Sequence, residues 1–327
     1  MKNEKTPFKD ILDDVSREMS KNHDAAIDSD DAISEDLPVI DILDHEILMH
    51  RDAHFGGKFD FMLDYYRRGG KGVYNEFEVS RIEELAIIEK DIDKDLAALV
   101  LLGVEAEEIS RAKSVYSKLR ELYEGKNHST PCPRLIADMI LSEEEDAIKE
   151  TEAVIAEGSG IVSPLIDLLC ADEFYSPLFP GYGLAPALAA QCLGKIGDEK
   201  AIIPLFEALS KVNFFIEDAV LTALENIGVP AKEFLLNAVK AMPISSDNER
   251  AAMALTYFKD DSEVSKVCFE MLKNIDIEKH PMLAMYLVLT CESLDDKKCR
   301  QEFIDMSTKV LEPLRHDMSM ICRRWQK

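Results

Sequence analysis

Histidine is unevenly spread along this chain: of seven, His45, His50 and His54 fall within ten residues. A helix from Pro38 to His54 puts His50 and His54 on one side with Ile40, Leu43 and Ile47, with Glu46 one turn before His50. Histidines at i and i+4 can chelate one metal ion, and Asp60 and Asp64, equally spaced on the next expected helix, can add oxygen ligands across the hairpin. The competing assignment is packing, because the order is not H-E-x-x-H and histidines lining a helix interface are ordinarily satisfied there. Glu46, His50, His54, Asp60 and Asp64 are thus the candidate metal ligands. The sequence names no catalytic residue and implies no cofactor.

Two further segments carry chemistry-bearing side chains. Arg67-Arg68-Gly69-Gly70-Lys71-Gly72 is basic and glycine-rich, as a phosphate-cradling turn would be, but it lacks the G-x-x-x-x-G-K-[ST] order and reads as an interhelical turn. Between Asp172 and Gly183, the aromatics Phe174, Tyr175, Phe179 and Tyr182 sit among prolines and glycines in a long connection. Such a loop either offers its rings to a partner or folds back and packs them on its own chain. The four rings are the candidate partner-binding residues. The terminal Arg323-Arg324-Trp325-Gln326-Lys327 is a local positive patch that compensates an acidic body.

That body is strongly acidic. The chain has 327 residues, with 63 Asp and Glu against 38 Lys and Arg, a formal charge of −25. Such a surface repels phosphate backbones, so nucleic acid is not an expected ligand, whereas a basic protein partner is. Its 46% hydrophobic content is ample for a packed structure. The seven cysteines show no C-x-x-C or paired spacing, which suits small packing residues in a reducing compartment. Met1-Lys2-Asn3-Glu4-Lys5 lacks the apolar stretch of a signal peptide, and no run approaches the ~18 apolar residues of a membrane span. The expected location is cytoplasmic, without membrane contact; oligomeric state is not legible.

The elements that must position these residues fall into three regions. Residues 1–37 read as an acidic, mobile tail, within which Phe8, Ile11, Leu12, Val15 and Met19 form one stripe of a short amphipathic helix. That helix either caps an apolar end of its own chain or docks in a partner's groove. Residues 38–141 read as irregular helical hairpins, with a capping box at Ser80–Glu83, a long helix over about 78–102, and an antiparallel partner carrying Ile109, Ala112, Tyr116, Leu119 and Tyr123 and closed by Gly125. A second capping box, Ser142–Glu145, opens a helix ending near Gly158, and from there the chain settles into helix pairs.

Residues 142–327 contain a recurring phrase. Leu193-Gly194-Lys195-Ile196-Gly197, followed by Ala201-Ile202-Ile203-Pro204-Leu205-Phe206, returns 31 residues later as Leu224-Glu225-Asn226-Ile227-Gly228, followed by Phe234-Leu235-Leu236. Leu255 to Asp261 and Leu294-Asp295-Asp296 echo it more weakly. With Asp198 completing a Leu-Gly-x-Ile-Gly-Asp turn, the phrase resembles the HEAT-like repeats of the phycobilisome-lyase type, over roughly residues 142–312. The resemblance implies an all-α protein, an α-α superhelix (HEAT-like solenoid) with an irregular helical N-terminal region. This repeat class includes bilin lyases, adaptors, metal-dependent hydroxylases and DNA glycosylases, so it specifies fold better than function. The only His-Glu pair, His45-Glu46, lies outside the repeats, and hydroxylase chemistry does not carry over. The expected role is an intracellular protein-interaction scaffold using the repeat surface and the 172–183 loop. The alternative is an enzyme on the same scaffold, bilin-lyase-like or metal-dependent, with His50 and His54 as ligands.

Overall fold

The computed structural model describes residues 40–70, 72, 74–124, 131–142, 147–211 and 214–325. Among these there are seventeen α-helices and no strand, so the protein is all-α. The tail of residues 1–37 with its amphipathic stripe, and all but Ser142 of the second capping box, lie outside the described residues. Packing divides the chain into two compact units, 1–189 and 190–327. The repeat phrase puts a boundary at 141/142 by self-similarity; packing puts one at 189/190, because residues 131–189 close onto the N-terminal helices.

In the first unit, α1 (Ile42–His54) opens with a capping box in which Asp41 and Asp44 each accept the other's backbone N–H. It is followed by α2 (Phe59–Arg67), α3 (Val79–Ile92), α4 (Leu96–Val100) and α5 (Gly103–Glu124). Ile47, Met62, Ile82, Leu85 and Leu96 are fully buried where α1 to α4 meet. Burying each contributes about 1.5–3 kcal/mol.

The long helix expected over 78–102 is broken. It stops at Ile92, Asp93 turns left-handed at φ 52°, and α4 restarts under the Asp95 side chain, which accepts from Ala97 N. The cause is Arg51, a fully buried cation on α1 that takes Asp95 Oδ1 at 2.7 Å, Asp52 Oδ1 at 2.8 Å and the Glu89 carboxylate. Bringing Glu89 and Asp95 round one guanidinium requires the chain to turn between them. The expected capping box at Ser80–Glu83 does not form: Glu83 pairs with Arg67, and Ser80 Oγ reaches only Glu78, at 3.4 Å. Nor is α3 the main partner of α5, which packs instead on α1 and α6 (Cys132–Leu141). The unit continues through α7 (Ile148–Ala156), α8 (Val162–Cys170) and the loop, and α9 (Ala185–Ile196) runs across the boundary.

The second unit continues through α10 (Ile202–Ala208), α11 (Phe214–Ile227), α12 (Val229–Val239), α13 (Ser246–Leu255), α14 (Ser262–Asn274), α15 (Pro281–Leu289), α16 (Lys297–Ser307) and α17 (Leu314–Arg324). Helices α10 to α13 pack successively, α14 pairs with α15 and α16 with α17, and α12 to α15 each also pack on the helix two further along. The phrase leucines Leu193, Leu224 and Leu255 are all fully buried. Gly197 and Gly228 end their helices at φ 73° and 81°, a conformation glycine adopts without steric penalty. Gly194 is required for closeness, since a Cβ there would lie 2.5 Å from the Ala223 Cα. Aspartates cap several of the helical turns: Asp198 accepts from Lys200 N, Asp261 from Glu263 N and Asp296 from Lys298 N, at 3.0, 2.8 and 2.8 Å.

Candidate functional site

The histidine helix and the aromatic loop, read separately from the sequence, meet in the first unit. His54 Nε2 lies 3.1 Å from the Pro177 carbonyl and Nδ1 lies 2.6 Å from the Tyr116 hydroxyl. A carbonyl can only accept, so Nε2 carries the proton and Nδ1 accepts from Tyr116. Tyr182 stacks on the same imidazole at 4.4 Å between ring centroids, and its own backbone is held left-handed at φ 51°. For a bulky side chain this conformation is costly and persists only where the surroundings impose it. A few residues away, Arg111 on α5 pairs with Glu173 at 2.8 Å and covers the Phe179 ring.

The loop therefore folds back on its own unit. Phe174 and Phe179 are buried, Tyr175 is half-buried with its hydroxyl on the Leu169 carbonyl at 2.7 Å, and Tyr182 is half-buried against His54. Of the four candidate anchors, only parts of Tyr175 and Tyr182 face solvent.

Of the metal-ligand candidates, His50 and His54 have their ring centroids 5.2 Å apart. Both nitrogens of His54 are engaged, while His50 Nδ1 is buried without a partner among the described residues. Burial pushes His50 down to about 3 and His54 down to about 4, from 6.5, so both are neutral near pH 7. Glu46 and Asp60 are exposed, and Asp64, also exposed, pairs with Arg68 at 2.8 Å. No group of three or more His, Cys, Asp and Glu among the described residues is arranged to hold a metal ion. In the glycine-rich turn, Arg67 and Arg68 are taken by Glu83 and Asp64, and Gly72 N donates to Tyr65 at 2.7 Å.

Sequence reasoning missed the buried ion pairs. Asp44, fully buried, receives Arg81 through two bonds of 2.7 and 2.6 Å; burial alone would raise its pKa, but Arg81 outweighs this and holds it below the usual carboxylate value. The available signal was position, since Arg51 falls at i+4 from Ile47 on the apolar face of α1.

The second unit carries the other candidate, a groove of about 410 Å³ between the opening turns of α10 and α12. One wall has Glu199, Ile202 and Ile203; the other has Val229, Pro230, Glu233, Phe234 and Asn237. Both follow helical spacing, so each presents a continuous stripe. Ile203 and Val229 are 56% and 61% exposed, although both begin otherwise well-packed helices. Phe234 is anchored edge-on to Phe206 at 5.2 Å. Among the described residues, Glu199 and Glu233 have no cationic partner, whereas Lys232, Lys266 and Lys273 each bind carboxylates one helical pair further along. The sequence signal was an isoleucine and a valine where solvent-facing polar residues would serve.

Compared with known protein families and with curated proteins, the chain matches no family model and no relative. Among the described residues, no single helix is long and apolar enough to cross a membrane.

Proposed function

We propose that this protein is a protein-interaction scaffold whose second unit is a HEAT-like solenoid and whose contact surface is the groove between successive second helices. The observation that carries this reading is the exposed pair Ile203 and Val229, set in facing stripes with a ring floor. Packing of each of α12 to α15 on the helix two further along supports the solenoid, since stacked hairpins bury a continuous core while leaving one face to bind. His54, enclosed by Tyr116, Tyr182 and Pro177, supplies connection within the first unit, with His50 packed against it beside Tyr74 and Phe77. The 172–183 loop acts mainly as that connector, with the outer faces of Tyr175 and Tyr182 as a secondary contact.

The test is affinity recovery and crosslinking from native extract with the full chain, comparing wild type with Ile203→Ser/Val229→Ser. Loss of a reproducible partner in the variant is the expected result. Recovery of the same partners from both would overturn the reading.

A further inference from the structure

Resting on the scaffold reading, we infer that the groove of α10 and α12 accepts a basic, apolar-anchored peptide segment. Such a segment would insert a large aliphatic or aromatic side chain between Ile203 and Val229 and place flanking Lys or Arg on Glu199 and Glu233.

The volume of about 410 Å³ takes one large side chain with its neighbours, not a whole element. The anchor is apolar because Ile203 and Val229, more than half exposed, gain by being covered, and Phe234 on Phe206 gives the insert a firm floor. The flanks are cationic because two carboxylates line an apolar groove without counter-ions, while the neighbouring Lys232 is committed to Asp261 and Glu263 at 2.8 and 3.0 Å and cannot neutralise them. Asn237, at the end of the α12 stripe, adds an amide able to hold the peptide backbone. A net charge of −25 speeds the approach of such a segment. The chain's own N-terminal stripe is a poorer occupant: from Phe8 to Met19 it carries Asp10, Asp13, Asp14 and Glu18 against Lys9 and Arg17 and would bring excess like charge to Glu199 and Glu233.

The test titrates the full chain with fluorescent peptides of equal length, followed by anisotropy. One has Leu and Lys at helical spacing, one has Glu in place of Lys, one has Ser in place of Leu, and a fourth is residues 5–22 of this chain. The Leu/Lys peptide is expected to bind wild type at least ~10-fold more tightly than the other three, and to lose ~10-fold or more with Glu199→Lys/Glu233→Lys, increasingly so at low salt. Undiminished binding to that variant, with loss in Ile203→Ser/Val229→Ser, would overturn the charge assignment and leave the scaffold reading standing. Equal binding of the Ser peptide would reduce the effect to attraction by the acidic surface and overturn the groove. Tight binding of residues 5–22 would make the chain its own occupant and overturn the inference.

Discussion

The two units solve the same problem, fixing helices in space, by opposite means. The first places them irregularly and ties them with long-range polar contacts: Arg51 on three carboxylates, Asp44 on Arg81, His54 between Tyr116 and Pro177. The second packs helices close in sequence and holds them with buried leucines, a close glycine approach and aspartate caps. Irregular geometry needs particular bonds, because no spacing rule specifies it. Contacts between helices close in sequence need fewer such bonds, and among the described residues Glu199 and Glu233 have no cationic partner.

The contrast breaks most sharply at Arg51. Arg51→Met should destabilise the first unit by about 3–5 kcal/mol, because it leaves a cluster of carboxylates around an apolar side chain. Denaturant titration with hydrogen exchange resolved by residue would show the loss confined to residues 40–189; a loss spread equally over both units would contradict independent fixation.

Acid should separate the units next. Because His50 and His54 sit at about 3 and about 4 when folded, the unfolded chain takes up protons below 6.5 that the folded one refuses. Their contribution is flat above pH 6.5 and is lost as pH falls from 6.5 towards 4. His50→Phe/His54→Phe should flatten that slope whatever it does to stability at neutral pH, and an unchanged slope would show that other groups carry it.

In the second unit, Gly194→Val should cost about 1–3 kcal/mol through overpacking against Ala223, a position where helix propensity alone favours the larger residue. Thermal melts of the variant measure it. Asp261→Ala should cost about 1 kcal/mol from the lost cap. Lys273→Ala, which removes exposed pairs with Glu270 and Glu302, should cost about 0.5 kcal/mol or less and vanish at high salt.

The same contrast explains what the sequence disclosed. Gly197 and Gly228 recur because a helix end at positive φ needs glycine, so those two helix ends were legible. The break at Asp93 was not, because the apolar stripe Ile82, Leu85, Ile92, Leu96 and Leu99 runs through it and the cause, Arg51, is a tertiary partner far away in sequence. The histidine pattern was legible as a pattern, yet its use was decided by Pro177 and Tyr182. Ile203 and Val229 read from sequence as further apolar residues of a helix pair; only accessibility showed that no described residue covers them.

The bond from His54 to Pro177 also sets an order of events. Its partners are 123 residues apart, so as the chain leaves the ribosome the N-terminal helices wait for that loop before their last contacts can form. In the second unit α12 to α15 each pack on the helix two further along, so those contacts can form as each helix emerges. Synthesis thus meets this long-range closure in the first unit before the second unit is complete.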